Sequence, residues 1–300
     1  LGQAIEQALA SQADRQDQAR RAHQPPMIRF QRPPEPPGFA KGTPRPRARG
    51  RLDETVWKPH KAAFSQAQHG KCGYCESYVA GTQDADVEHY APKHAVADVS
   101  DDPTTWGDEA RPGVANLRTG SRATIERSKT GYWWRAYDWT NYLFACTVCN
   151  RKYKETVFPL TPTPPARWRP TKRDRTHAPL LLNCFDDDAP WRHFEVDPTT
   201  GALTGKPPRG TATIATCGLH RDTLRIDRHR LVAAADHQLD EILSPQANPR
   251  SRANAWRDLI ALGATTAPFA GAVRCLAESR LTPLRWHEIE AAEPAAWAAR

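Results

Sequence analysis

The chain has no long apolar run. Its longest stretch free of charge, Leu259 to Val273, is 15 residues interrupted by Gly263, Pro268 and Gly271, whereas a helix crossing a bilayer needs roughly 20 apolar residues. A mean hydropathy of −0.71 points the same way, so a membrane protein is excluded as an expectation. A signal peptide is not seen either, because Leu1 to Gln24 is polar and mixed in charge, and a cytoplasmic location is expected. Methionine is nearly absent: Met27 is the single one, which marks it as the expected natural start, with Leu1 to Pro26 lying upstream of it. An acidic excess is lacking too. The 42 Lys and Arg outnumber 34 Asp and Glu for a net +8, so a polyanion is a more fitting partner than a basic ligand. Nor is there an even set of scattered cysteines, as a secreted disulfide scaffold would show. The count is seven, and four of them form two Cys-x-x-Cys pairs, a pattern that fits metal ligation in a reducing compartment. Cys184, Cys217 and Cys275 stand singly and read as small buried hydrophobes.

What is present divides the 300 residues into three parts. Residues 1–51 carry ten basic against four acidic residues and eight prolines between Gln24 and Arg49, the composition of an extended or solvated arm. Residues 52–165 hold both cysteine pairs, all seven Tyr and five of the ten Trp. Residues 166–300 open with the basic stretch RWRPTKRDR, Arg167 to Arg175. Asp, Pro and Gly in VDPTTGALTG, Val196 to Gly205, then predict a hairpin. From Thr211 the pattern turns helical, though Ile214, Leu219, Leu224, Ile226 and Leu231 recur irregularly, and Asp258 to Leu262 and Trp286 to Glu293 are further helix candidates.

KCGYCE, Lys71 to Glu76, and ACTVCN, Ala145 to Asn150, each set two thiols two residues apart. One tight turn of that kind offers both sulfurs to a tetrahedral ion, and two such knuckles close a four-cysteine structural zinc site. A redox dithiol is the rival reading of a single pair; two pairs point to zinc held by Cys72, Cys75, Cys146 and Cys149. The 70 residues between Cys75 and Cys146 exceed a zinc-ribbon spacing, so structure must be inserted between the knuckles.

The insertion contains VEHYAPK, Val87 to Lys93, where a carboxylate precedes a histidine at an expected strand end. The second knuckle lies in DWTNYLFACTVCNRKYKETVFP, Asp138 to Pro159. Together these motifs resemble the HNH, or ββα-metal, nucleases. Phosphodiester hydrolysis needs a deprotonated water, which a neutral histidine makes well near neutral pH, so His89 is the candidate general base. Charge gathering on the phosphate and leaving oxygen suits a hard divalent cation on oxygen ligands. The resemblance assigns that cation, Mg²⁺ or a similar ion, to Glu88 and Asn150. It also assigns Asn141 to pinning the loop that carries the histidine, with Asn116 as a competitor for that place. Lys154, four residues beyond Asn150, shares its helical face and is the candidate phosphate contact. Bland readings stand beside these. Glu88-His89 is also a chance dipeptide, Asn150 also a helix cap, Lys154 also a solvated lysine, and His94 a solvated loop residue. The aromatic run Tyr132 to Tyr142 reads as a base-stacking surface or as core, with Trp139 a packing residue.

Flanking segments extend the resemblance. MIRFQRPPEPPGF, Met27 to Phe39, LLLNCFDDDAPWRHFEVDPTTGAL, Leu180 to Leu203, and ATIATCGLHRDTLRIDRHR, Ala212 to Arg230, are similar to the HNH effector subunits of Septu and certain retron anti-phage systems. That resemblance implies a DNA endonuclease restrained by a partner ATPase through the C-terminal helical region. A stand-alone restriction-like or nicking HNH enzyme, and a non-catalytic zinc module that binds nucleic acid, are the other two readings. The fold expected is α+β: a ββα-metal module stapled by zinc, followed by an α-rich C-terminal domain.

Overall fold

The structure, a computed structural model, describes residues 29–47, 50–81, 84–99, 124–165 and 167–292. Met27, Asn116 and the rest of the expected arm before Arg29 lie outside these residues. Among the described residues no helix is long and apolar enough to cross a membrane.

Small two-stranded sheets and helices of varied length build a mixed α/β molecule. Strand β1 (Ala85–His89) pairs antiparallel with β4 (Tyr142–Cys146), in a register that sets Glu88 opposite Leu143 and His89 opposite Tyr142. Every residue of YLFAC in β4 is buried, as a continuous apolar run bounded by polar residues implies for a strand covered on both faces. The long connection between them carries β2 (Val96–Val99) and β3 (Thr124–Ser128), themselves an antiparallel pair. Before the first knuckle comes helix α1 (Lys61–Ala67). Its Phe64 packs on Trp139 with ring centroids 4.6 Å apart. Directly after β4, Val148–Lys154 winds as a wide π-type helix, α2. Strand, strand and helix thus follow one another around the cysteines. Asn150 lies inside α2, and the expectation of an N-cap at Asn150 is corrected: the helix starts two residues earlier.

Beyond β5 (Leu160–Thr161) and β6 (Ala178–Pro179), the predicted hairpin forms as β7 (Phe194–Val196) and β8 (Leu203–Gly205). Asp197 closes its turn by accepting from Thr199 N and Oγ1 and from Thr200 Oγ1. Helices α3 (Arg209–Cys217), α4 (Asp222–Leu243), α5 (Pro249–Leu262), α6 (Ala270–Arg280) and α7 (Trp286–Ala291) complete the chain. Helix α4 packs on α5 and α6, while α3 packs on α2. Gly218 ends α3 at φ +60°, and a Cβ there would meet the Tyr153 ring at 2.0 Å, so only glycine lets α3 approach the cysteine helix so closely. One continuous core runs from Phe30 and Phe64 through β4 to Leu239, Trp256 and Trp286; each such large side chain contributes roughly 1.5–3 kcal/mol by burial.

The solvated-arm expectation is corrected for its described C-terminal part. Phe30 is 2% exposed and its N–H donates to Cys184 O at 2.8 Å. Arg32 donates to Tyr142 O at 2.8 Å, and Trp139 Nε1 donates to Pro33 O at 2.7 Å. Prolines keep this segment extended, while Phe30, Arg32 and the Pro33 carbonyl anchor it to the core.

Candidate active site and metal centre

The two knuckles converge. The four sulfurs of Cys72, Cys75, Cys146 and Cys149 lie within 4.8 Å of one another and all four residues are buried, with Cys75 and Cys146 Sγ 4.0 Å apart. Backbone N–H groups point at sulfur, from Tyr74 to Cys72 at 3.5 Å and from Cys149 to Cys146 at 3.3 Å. The first turn is closed by Cys72 N donating to Ser77 O and Glu76 N to Cys72 O. Gly73 N and Gln68 Nε2 both donate to Phe144 O, and Gln68 Oε1 accepts from Phe144 N. The first knuckle is thereby fastened to β4, which carries the second. Hydrogen bonds from the other three thiols, Cys146 first, push the Cys75 pKa well down, while burial pushes Cys72 and Cys149 up. Four soft sulfurs in one buried tetrad fit a zinc ion.

Arg221, at the start of α4, reaches the same cluster, donating to Cys149 Sγ at 3.3 Å and to Cys217 O and Gly218 O. Burial opposes its charge, but the Cys149 and Cys75 sulfurs outweigh that and raise its pKa. Lys71 and Glu76 tie the first knuckle to the C-terminal helices, Lys71 Nζ donating to Ala267 O at 2.7 Å and Glu76 accepting from Gly271 N at 3.0 Å.

A second group of side chains gathers at the end of β1. His89 is 3% exposed, lodged edge-on against Trp57 and Tyr142 with ring centroids 4.8 and 5.0 Å away. Its Nε2 lies 2.9 Å from Ala136 O. A carbonyl only accepts, so Nε2 carries the proton and Nδ1 keeps the lone pair. Nδ1 in turn receives Lys93 Nζ at 3.2 Å. Burial, then the Lys93 ammonium, hold the His89 pKa well below the usual imidazole value, so the ring is neutral.

Asn141 pins the following loop. Its Oδ1 accepts from Ala91 N at 2.8 Å and its Nδ2 donates to Ala91 O at 3.1 Å and Arg135 O at 3.2 Å. One amide thus joins the residue two beyond His89 to the turn that supplies the Ala136 carbonyl.

Glu88 is 7% exposed and Lys154 is fully buried. The Lys154 ammonium sits 2.5 Å from Glu88 Oε1 and 3.2 Å from His89 O. The expectation of a lysine presented to phosphate is corrected here, because the ammonium is enclosed on Glu88. Asn150 is half-buried one turn before it, and among the described residues no hydrogen bond joins its side chain to Glu88 or His89. Thus hydrogen bonds bring Glu88, His89, Asn141 and Lys154 into one group, in which the Asn150 side chain takes no part. His94 is exposed, as expected. Trp139 is core, between Phe39 and Phe64.

Sequence reasoning missed Lys93, Trp57, the Ala136 carbonyl and Arg221. Only Lys93 carried a signal, being four residues past His89 in the same motif.

No protein-family profile matches the chain, and no solved structure does either. It is 30% identical over 200 residues, 63% of its length, to a Bacillus mycoides (strain KBAB4) protein named Septu protein PtuB. The chain covers 54% of that protein, about half its length.

Proposed function

We propose that this protein is a metal-dependent endonuclease of the HNH type that hydrolyses DNA phosphodiester bonds as the effector of an anti-phage defence system. The observation that carries the reading is His89 itself: a buried neutral imidazole at a strand end whose tautomer is fixed by Ala136 O, leaving Nδ1 as the base. The order strand β1, strand β4, helix α2, stapled by four cysteines, is the frame such a motif requires. Similarity to a Septu protein supports the defence role; a partner ATPase that restrains cutting is the part of the reading that rests on the resemblance of the flanking segments alone.

In this reading His89 Nδ1 takes a proton from water, the water oxygen bonds to phosphorus, and the P–O3′ bond breaks as the 3′ oxygen leaves. Asn141 keeps the His89 loop in position. The oxygen donors of Glu88 and Asn150 suit a hard cation; held by them, Mg²⁺ or a similar ion would neutralise charge on the leaving oxygen. Lys154 takes Oε1 of Glu88, leaving the other carboxylate oxygen as the donor. Lys93 lies on Nδ1 at 3.2 Å and must move off that lone pair before water is deprotonated; a phosphate is the anion that would draw it away. The zinc cluster supplies no chemistry and holds the frame.

One observation favours a non-catalytic nucleic-acid module instead, namely that Lys154 already neutralises Glu88. Supercoiled plasmid separates the readings. Nicking that requires added Mg²⁺, with about one zinc retained per chain as four cysteines imply, supports the enzyme. Binding without nicking, both alone and with the ATPase, supports the module.

A further inference from the structure

We infer that the loop Arg167–Arg175 is a phosphate-gripping surface that holds a nucleic-acid strand beside the His89 site, an inference that rests on the nuclease reading and specifies how its substrate is held.

The loop is a built element. Its ends are joined where β5 pairs with β6, Leu160 opposite Pro179 and Thr161 opposite Ala178, and by Leu180 N donating to Pro159 O at 2.9 Å. Its interior is organised by one carboxylate. Asp174 accepts from Trp168 Nε1 at 2.7 Å, Thr176 N at 3.0 Å and His177 Nδ1 at 3.2 Å, and the Trp168 and His177 rings pack with centroids 5.1 Å apart. The single acid of the loop is consumed inside it. Arg167, Arg169, Lys172, Arg173 and Arg175 are all exposed, and among the described residues none of the five forms an ion pair. Arg230, also exposed, differs in having Asp227 as a carboxylate partner. A preorganised loop that presents five unneutralised cations has the chemistry of a polyanion contact.

Position ties the loop to the site. Lys172 Nζ lies 5.6 Å from the centroid of the half-buried Trp133 ring. Trp133 opens the short turn Trp133–Arg135, and the next residue, Ala136, supplies the carbonyl on His89 Nε2. The residue before it, Tyr132, donates its N–H to Pro92 O at 2.7 Å, three residues beyond His89. The basic loop and the His89 loop therefore lean on the same turn. Phosphate-backbone contacts of this kind position a strand without reading its sequence.

The test is equilibrium binding of a fluorescent DNA duplex of about 30 base pairs by the zinc-loaded full chain, over a salt series without added Mg²⁺. Replacing Arg167, Arg169, Arg173 and Arg175 by Gln removes four contacts. The slope of log affinity against log salt should become shallower by about 3–4, at about 0.9 for each phosphate contact, with zinc content unchanged. A control variant with Arg230, Arg250 and Arg257 changed to Gln alters bulk charge on exposed C-terminal helix positions and should keep the wild-type slope. The proposal is overturned by a wild-type slope in the loop variant, by an equal loss in the control, or by no duplex binding in the wild type. Plasmid nicking in Mg²⁺ tells its failure from that of the nuclease reading: nicking with loop-independent binding removes the loop alone, and loop-dependent binding without nicking, with or without the ATPase, removes the nuclease alone.

Discussion

Lys154 and Glu88 form a buried ion pair across 66 residues of sequence, Nζ to Oε1 at 2.5 Å, joining helix α2 to the strand that carries His89. Removing one partner of such a pair leaves an uncompensated charge in the core, which costs about 3–5 kcal/mol. Lys154→Met should therefore lower the urea-unfolding free energy of the zinc-loaded protein by that amount, and adding Glu88→Gln should recover a large part. A loss below about 1 kcal/mol, the worth of an exposed pair, would show that the pair is open to water.

Asn141 makes three backbone hydrogen bonds between the His89 loop and the Arg135 turn. Asn141→Ala leaves those buried groups unpaired, at about 1–3 kcal/mol each. The expected result is a loss of at least about 2 kcal/mol, with faster hydrogen exchange at the Ala91 amide. Exchange unchanged at Ala91 would contradict the pinning role.

His89 is held neutral by burial and Lys93. With a folded pKa depressed below the unfolded value of about 6.5, the unfolded chain binds the extra proton. Stability from this group is complete above about pH 6.5 and falls below it by up to about 1.4 kcal/mol per pH unit. The difference in stability between wild type and His89→Gln, measured from pH 7.5 down to 5.5, should shrink as pH falls; a constant difference would place His89 in an open, solvated setting.

Arg221 donates to Cys149 Sγ at 3.3 Å and so lies against the cysteine cluster. Partners outside the ligand set typically change metal affinity by about 10–100-fold. Arg221→Met should release zinc to a competing chelator at correspondingly lower chelator concentration, and Arg221→Lys should recover part. Release at the wild-type concentration would limit Arg221 to joining α3 and α4.

The four-cysteine cluster, the end-of-strand position of His89 and the Val196–Gly205 hairpin are legible in the sequence because each depends on local spacing or turn chemistry. Helices α4 and α6 are less so, since Arg228 and Arg274 lie buried on them and break the apolar periodicity that would reveal a core face. Both arginines are held by backbone carbonyls, of Gly201 and Gly263, partners that no pattern of residue types announces. The Lys154 contact was hidden for the same reason: a basic helix face reads as solvated until a carboxylate from a distant strand is brought beneath it. The docking of Phe30 through Pro33 was masked by proline-rich composition, which reports an extended backbone and says nothing of what covers it.

The central claim is that His89 is the base of a nuclease whose frame is held by zinc. Its most direct test is single-turnover cleavage of labelled duplex DNA in Mg²⁺ by wild type and His89→Ala, each shown to retain zinc and to bind the duplex equally, with the proposed partner ATPase present. The account predicts cleavage by the wild type and a loss of about 10²–10⁴-fold in the variant, the usual contribution of a general base. Equal cleavage by both proteins would contradict it.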